Sequence, residues 1–213
     1  ANSFMRSDAA ATTTGKITTT NNQGISLGAS GDLTISVAGN DVTFANNDTN
    51  GNINFGVTIG NVATTAMTIN GSNGIVSSTT GINANYADLA ERFEADAELS
   101  PGTVVELGGT AEITQVNADL SENVFGVIST RAAYMMNGAA GTNITHPPVA
   151  MTGRVPVRTI GQVRKGDRLV SAGNGLARAA KAGEATAFNV IGRALRDKAD
   201  ESEAYVEAIV TIK

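Results

Sequence analysis

Cysteine and tryptophan are absent from this 213-residue sequence, and histidine occurs once. Without cysteine there are no disulfides and no thiolate metal sites, and the redox compartment stays open. Aromatic residues make up only 4% of the chain, which leaves few stacking platforms for sugars or bases. No apolar run approaches the ~18 residues of a membrane span, and no charged-then-apolar stretch reads as a signal peptide. The start at Ala1 is what a fragment or a processed product would show. The formal charge of −5 speaks against nucleic acid as the main partner, because a phosphate-binding face needs clustered Lys and Arg.

Charge is also scarce in one part of the chain. Residues 1–83 carry only Arg6, Asp8, Lys16, Asp32, Asp41 and Asp48, while every glutamate and all four prolines lie beyond. A shift this abrupt marks a boundary, and the length allows one large or two small domains. We therefore divide the sequence into a segment 1–83 and a domain 84–213.

What the first segment does contain is alternation. Leu33, Ile35 and Val37 alternate with Thr34, Ser36 and Ala38; Ile53, Phe55, Val57 and Ile59 alternate with Asn54, Gly56, Thr58 and Gly60; Val42 and Phe44 flank Thr43. These are short half-buried strands. Between them sit Asn/Asp/Gly clusters at 21–24, 38–41, 46–51 and 70–74, residues that supply the positive φ of tight turns. The segment holds only 20 residues of the Val/Ile/Leu/Met/Phe set, too few to offset the entropy of ordering 83 residues in one chain. One solution is an elongated fibre whose thin core layers are shared by several identical chains. The others are disorder or an independently folded segment. The regular alternation favours the fibre.

At 84–101, Tyr86, Leu89, Ala90, Phe93 and Ala97 fall at helical spacing, with Asp88, Glu91, Arg92, Glu94 and Glu98 on the other sides. Asn85 serves as N-cap, and Pro101-Gly102 ends the element and begins a turn. The spacing predicts a short helix, three copies of which could pack on a threefold axis and align the chains. The acid pairs invite a hydrolase reading with two carboxylates as acid and base. A solvated helix face explains them more simply, since no apolar surround is evident that would raise one carboxylate's pKa.

The rest shows a weak duplication. Ser100-Pro101-Gly102-Thr103-Val104-Val105-Glu106-Leu107, then Gly108-Gly109, then 110–114, then Val124-Phe125-Gly126-Val127-Ile128-Ser129 form one copy. Arg164-Lys165-Gly166-Asp167-Arg168-Leu169-Val170-Ser171, then Gly173-Asn174-Gly175, then 176–179, then Asn189-Val190-Ile191-Gly192-Arg193-Ala194-Leu195 form the other. Each is a turn, a hairpin and a Gly-centred strand, and two such units make one barrel or sandwich. Between them Val149, Met151, Val155, Val157, Ile160 and Val163 continue the strand pattern around Pro156, which implies an edge position. The stretch 137–143 is a loop, 197–203 a charged hairpin tip, and 204–212 a final strand.

No catalytic, cofactor-binding or metal-binding residue is assigned, and no cofactor is expected. His146 alone cannot build a histidine-rich zinc site; three copies on an axis could hold an ion, but a loop histidine with backbone partners is the simpler reading. A triad would need His146 with Ser129 or Ser171, and no nucleophile elbow supports it. The loop Ser171-Ala172-Gly173-Asn174-Gly175 lacks the Lys-Ser/Thr ending of a phosphate loop. Arg154, Arg158, Arg164, Lys165 and Arg168 form a modest basic patch, solvated or paired with acids across a subunit contact.

Several stretches together resemble the C-terminal domains of bacteriophage structural proteins, particularly fibre and appendage proteins of phages infecting marine cyanobacteria. They are Asn85-Tyr86-Ala87-Asp88-Leu89-Ala90-Glu91, Pro101-Gly102-Thr103-Val104-Val105, Phe125-Gly126-Val127-Ile128-Ser129-Thr130, Pro147-Pro148-Val149-Ala150, Gly153-Arg154-Val155-Pro156-Val157 and Lys165-Gly166-Asp167-Arg168-Leu169-Val170. The first segment is similar to the Asn/Thr/Gly-rich shafts of trimeric phage fibres, and Phe4-Met5-Arg6-Ser7-Asp8-Ala9-Ala10 is similar to the linker heading many shaft repeats. The resemblance implies a homotrimer in the virion. Its partners would be copies of itself, other virion structural proteins and a candidate host receptor. The expected fold is mainly β: an elongated intertwined trimeric shaft, then a compact β barrel or sandwich head with a short helix at the junction. The run Tyr86-Ala87-Asp88-Leu89-Ala90-Glu91 before Pro101-Gly102-Thr103-Val104-Val105 also resembles, distantly, the self-cleaving C-terminal chaperone domains of phage tailspikes, although no catalytic residue carries over. A structural, non-enzymatic virion protein is thus the main expectation, with a self-cleaving assembly domain and a receptor-binding adhesin as alternatives.

Overall fold

The computed structural model describes residues 25–27 and 32–211. The linker at 4–10, the turn at 21–24 and Ile212 lie outside the described residues. Within them the regular elements are all strands: β1 (Ile25–Leu27), β2 (Leu33–Ala38), β3 (Asp41–Asn46), β4 (Ile53–Ile59), β5 (Val62–Ile69), β6 (Val76–Ser78), β7 (Asp88–Arg92), β8 (Val104–Leu107), β9 (Ile113–Gln115), β10 (Val124–Ile128), β11 (Tyr134–Met136), β12 (Pro148–Thr159), β13 (Arg168–Gly173), β14 (Leu176–Ala179), β15 (Val190–Ala194) and β16 (Ala204–Thr211). Two compact units meet between Ile82 and Asn83.

The first unit contains two three-stranded antiparallel sheets, β1-β2-β3 and β4-β5-β6. Turn chemistry sets their hairpins. Gly60 and Asn61 both take positive φ, +55° and +66°, the backbone a two-residue hairpin needs to follow the strand twist. Asparagines replace missing ladder partners: Asn46 Nδ2 donates to the Asn52 carbonyl at 2.9 Å, and Asn52 Oδ1 accepts from the Gly71 N–H at 3.1 Å. The alternation thus forms strands, but no residue between 32 and 82 is buried. Phe44 is 59% exposed and Val62 64%.

The second unit holds the core. Strands β12, β16, β15, β13 and β14 pair in that order, and β14 returns to β12 where Ala177 lies opposite Thr159, closing a five-stranded barrel. Val155, Val157, Leu169, Ile191, Val206 and Val210 belong to its core cluster. From β12 the sheet continues through β10 and β8 to β9. A second cluster of Leu99, Val105, Ile113, Ile128 and Val149 takes in Phe93 and Phe125, whose rings meet edge to face at 5.0 Å.

Both duplicated stretches trace the same path. Gly102 and Gly166 turn at φ +82° and +93°. The hairpins β8–β9 and β13–β14 follow, and the Gly-centred strands β10 and β15 then fold back on β8 and β13. Each central glycine sits where backbones press together. A Cβ on Gly126 would lie 2.8 Å from the Ala150 carbonyl oxygen, and one on Gly192 would lie 2.2 Å from that of Ile209.

Two expectations are corrected. The helix at 84–101 does not form: Asp88–Arg92 is β7, antiparallel to β12 and parallel to β11. Its real period is two, with Asp88 and Ala90 buried, and a carboxylate at an inward position disguised it. Pro156 does not mark an edge strand, because β12 is paired on both flanks. Its missing N–H falls in a local gap. The N–H groups of Arg154 and Arg158 leave the β16 flank for the carbonyls of Ala87 and Gly102, and Pro156 lies midway between them.

Candidate functional site

The most distinctive group of polar side chains surrounds the start of β7. Gly153, at φ +115°, lets β7 approach β12 so closely that a Cβ there would meet the Ala87 carbonyl oxygen at 2.1 Å. This approach carries Asp88 into the wall of a cleft of about 340 Å³ that Tyr86, Thr130, Arg131, Arg154, Pro156 and Glu207 also line. Asp88 is 4% exposed. Its Oδ2 has no hydrogen-bond partner, and neither does the buried Oγ of neighbouring Ser129. Burial pushes the Asp88 pKa above its ordinary 3.8, and its own backbone N–H offsets part of the rise. Across the cleft Arg131 Nη1 donates to Tyr86 Oη at 2.8 Å, with its guanidinium 5.6 Å from the ring centroid.

The other carboxylates of the stretch do not converge on Asp88. Glu94, Asp96 and Glu98 are exposed, and the Glu94 N–H bonds Glu112 Oε2 at 2.8 Å. His146 is held in its loop. Its N–H donates to the Thr142 carbonyl at 2.7 Å, its carbonyl accepts from Arg92 Nη1 at 2.7 Å, and its Nδ1 lies 3.1 Å from Thr145 Oγ1. Ser171 is committed to structure: its Oγ donates to the Ala118 carbonyl and accepts from the Ser121 N–H. The loop 171–175 is the β13–β14 hairpin. Among the described residues no three His, Cys, Asp or Glu side chains converge as metal ligands, and no helix is long and apolar enough to cross a membrane.

The basic patch divides in two. Arg158 bonds Glu203 Oε1 and Thr103 Oγ1, while Arg154 and Arg168 point outward from β12 and β13. Sequence reasoning placed no weight on Arg193, which the sheet register brings opposite Arg168. Asp88 it treated as one carboxylate among several. Gly153, inside the apolar alternation of 149–157, was the available sign of a close crossing.

Among the described residues, fold and cleft define an all-β arrangement: a barrel-centred unit with its own core, preceded by thin sheets that have none. A solved structure of the pre-mature bacteriophage phi29 gene product 12 shares this fold over 70% of the chain, with a TM-score of 0.50 and 17% sequence identity. The matched region is 24% of that much longer chain. No family model and no curated protein matches the sequence.

Proposed function

We propose that this chain is a structural, non-enzymatic part of a phage virion, a homotrimeric tail or other appendage fibre. Residues 1–83 form the intertwined β shaft. Residues 84–213 form a head that registers the three chains and contacts other virion proteins and the host surface. The observation carrying this reading is the absence of any buried residue between 32 and 82, alongside Val42, Phe44, Phe55, Val57, Ile59 and Val62 on regular strands. Strands with outward apolar side chains need cover, and identical copies supply it symmetrically. The fold shared with a phage gene product supports the virion setting. Antibodies against residues 84–213 test it: labelling of a projecting structure on intact particles is expected, and a protein found only in infected cells and not in particles would refute it.

A second reading is favoured by Asp88 and Ser129. A carboxyl with a raised pKa beside an unpartnered buried hydroxyl, close behind the unit boundary, is equipment for self-cleavage. A cut near residue 84 would release a fragment of about 130 residues, which intact-mass measurement of the purified chain reads directly. A single intact mass after prolonged incubation at several pH values excludes it.

A further inference from the structure

The register of the barrel sets four residues in one row across four strands. Arg168 lies opposite Arg193, Arg193 opposite Ile209, and Ile209 opposite Arg154. All four are exposed, Ile209 by 50%. Strands spaced about 4.8 Å apart put Arg168 and Arg193 side by side and Arg154 about 14 Å from Arg168. Like charges directly opposite on neighbouring strands repel, and no described acid answers them: none of the three guanidinium groups has a hydrogen-bond or ion-pair partner. Two other strand arginines of this unit are ion-paired, Arg158 with Glu203 and Arg178 with Asp119 and Glu184. Arg164 and Arg196 also lack partners, but they occupy turns rather than a sheet face.

The same chain carries the complement elsewhere. Ala95 packs inward and bridges Ile113, so Glu94 and Asp96 on either side of it turn outward, and exposed Glu98 follows. These carboxylates have no ion-pair partner among the described residues. Their strip lies beside β9 and follows β7, whose Arg92 pairs with Pro148 at the start of β12, six residues before Arg154. Row and strip are different surfaces of one unit, the condition for a head-to-tail contact that closes into a ring.

We propose that the Arg168–Arg193–Ile209–Arg154 row of one copy docks on the Glu94–Asp96–Glu98 strip of the next. This deepens the trimer reading above and rests on it. The exposed isoleucine supplies the apolar centre and the arginines the charged rim. The contact joins the heads, and the shaft is held by its own apolar strands.

The test uses the full 213-residue chain, which has no native cysteine. In an R193C/D96C variant, mild oxidation should give a covalent trimer on a non-reducing gel. Monomer alone, with sedimentation showing a trimer, overturns this docking and leaves the trimer reading standing. Monomer alone in both measurements overturns both. In parallel, R168E/R193E and E94R/D96R should each weaken assembly at least tenfold at low salt, and combining the four changes should restore it. Circular dichroism checks that each variant folds. Unchanged assembly in both reversals, or no restoration, contradicts the proposal. So does an R168E/R193E variant that stays trimeric but loses binding to heparin, used as the anionic polymer probe; the row would then serve an anionic glycan.

Discussion

Asp88 and Gly192 each constrain the fold through a single buried group. Asp88 is buried with a pKa above its ordinary 3.8. Its folded form therefore holds a proton more readily than its unfolded form. The stability it contributes is fully present below the ordinary carboxylate range and is lost as pH rises toward the raised value. Asp88→Asn, which stays neutral, should be more stable than the parent at pH 7 and indistinguishable from it near pH 3, as read from thermal melts across that range. Gly192 presses a bare backbone against β16. Gly192→Ala should cost more than about 2 kcal/mol in urea unfolding, because backbone rather than a side-chain tip must move. Gly39→Ala, with open space around it but φ +61°, should cost only about 1 kcal/mol.

At the scale of elements, legibility followed period. The strands at 33–38 and 53–59 were readable because their alternation is uninterrupted. The two Gly-centred hairpin units were readable because their turn residues recur. β7 was not, since its inward Asp88 breaks the apolar beat and the remaining apolar residues happen to fit 3.6. Phe93, one of those misleading residues, is not on a helix face but edge-on to Phe125 beneath β10. Phe93→Ala should therefore destabilise the second unit by about 2–3 kcal/mol and leave no change at the helical wavelengths of circular dichroism. Pro156 was misread for a related reason. A proline reports on one flank of a strand at one position, and the gap between Ala87 and Gly102 accommodates it inside a paired strand. The cleft around Asp88 and the arginine row were out of reach of the sequence, because both arise from register between strands far apart in the chain.

For the whole molecule, the contrast is between a unit whose buried hydrophobic core runs from Ala90 to Val210 and a unit with no buried residue between 32 and 82. A thin antiparallel meander with an apolar side left open is marginal on its own. Sharing that side among copies removes the exposed surface without adding residues, at the cost of making the fold depend on concentration. Phe44→Asp should thus lower the affinity of assembly rather than disturb the barrel, with loss of the oligomer on gel filtration and unchanged melting of the second unit.

Sedimentation equilibrium at micromolar concentration, combined with hydrogen exchange over residues 33–69, tests the central claim most directly. The account predicts a species of ~65 kDa, three chains of 21.7 kDa, whose leading strands lose their protection when dilution separates the copies. A monomer of 21.7 kDa with those same strands protected would contradict it.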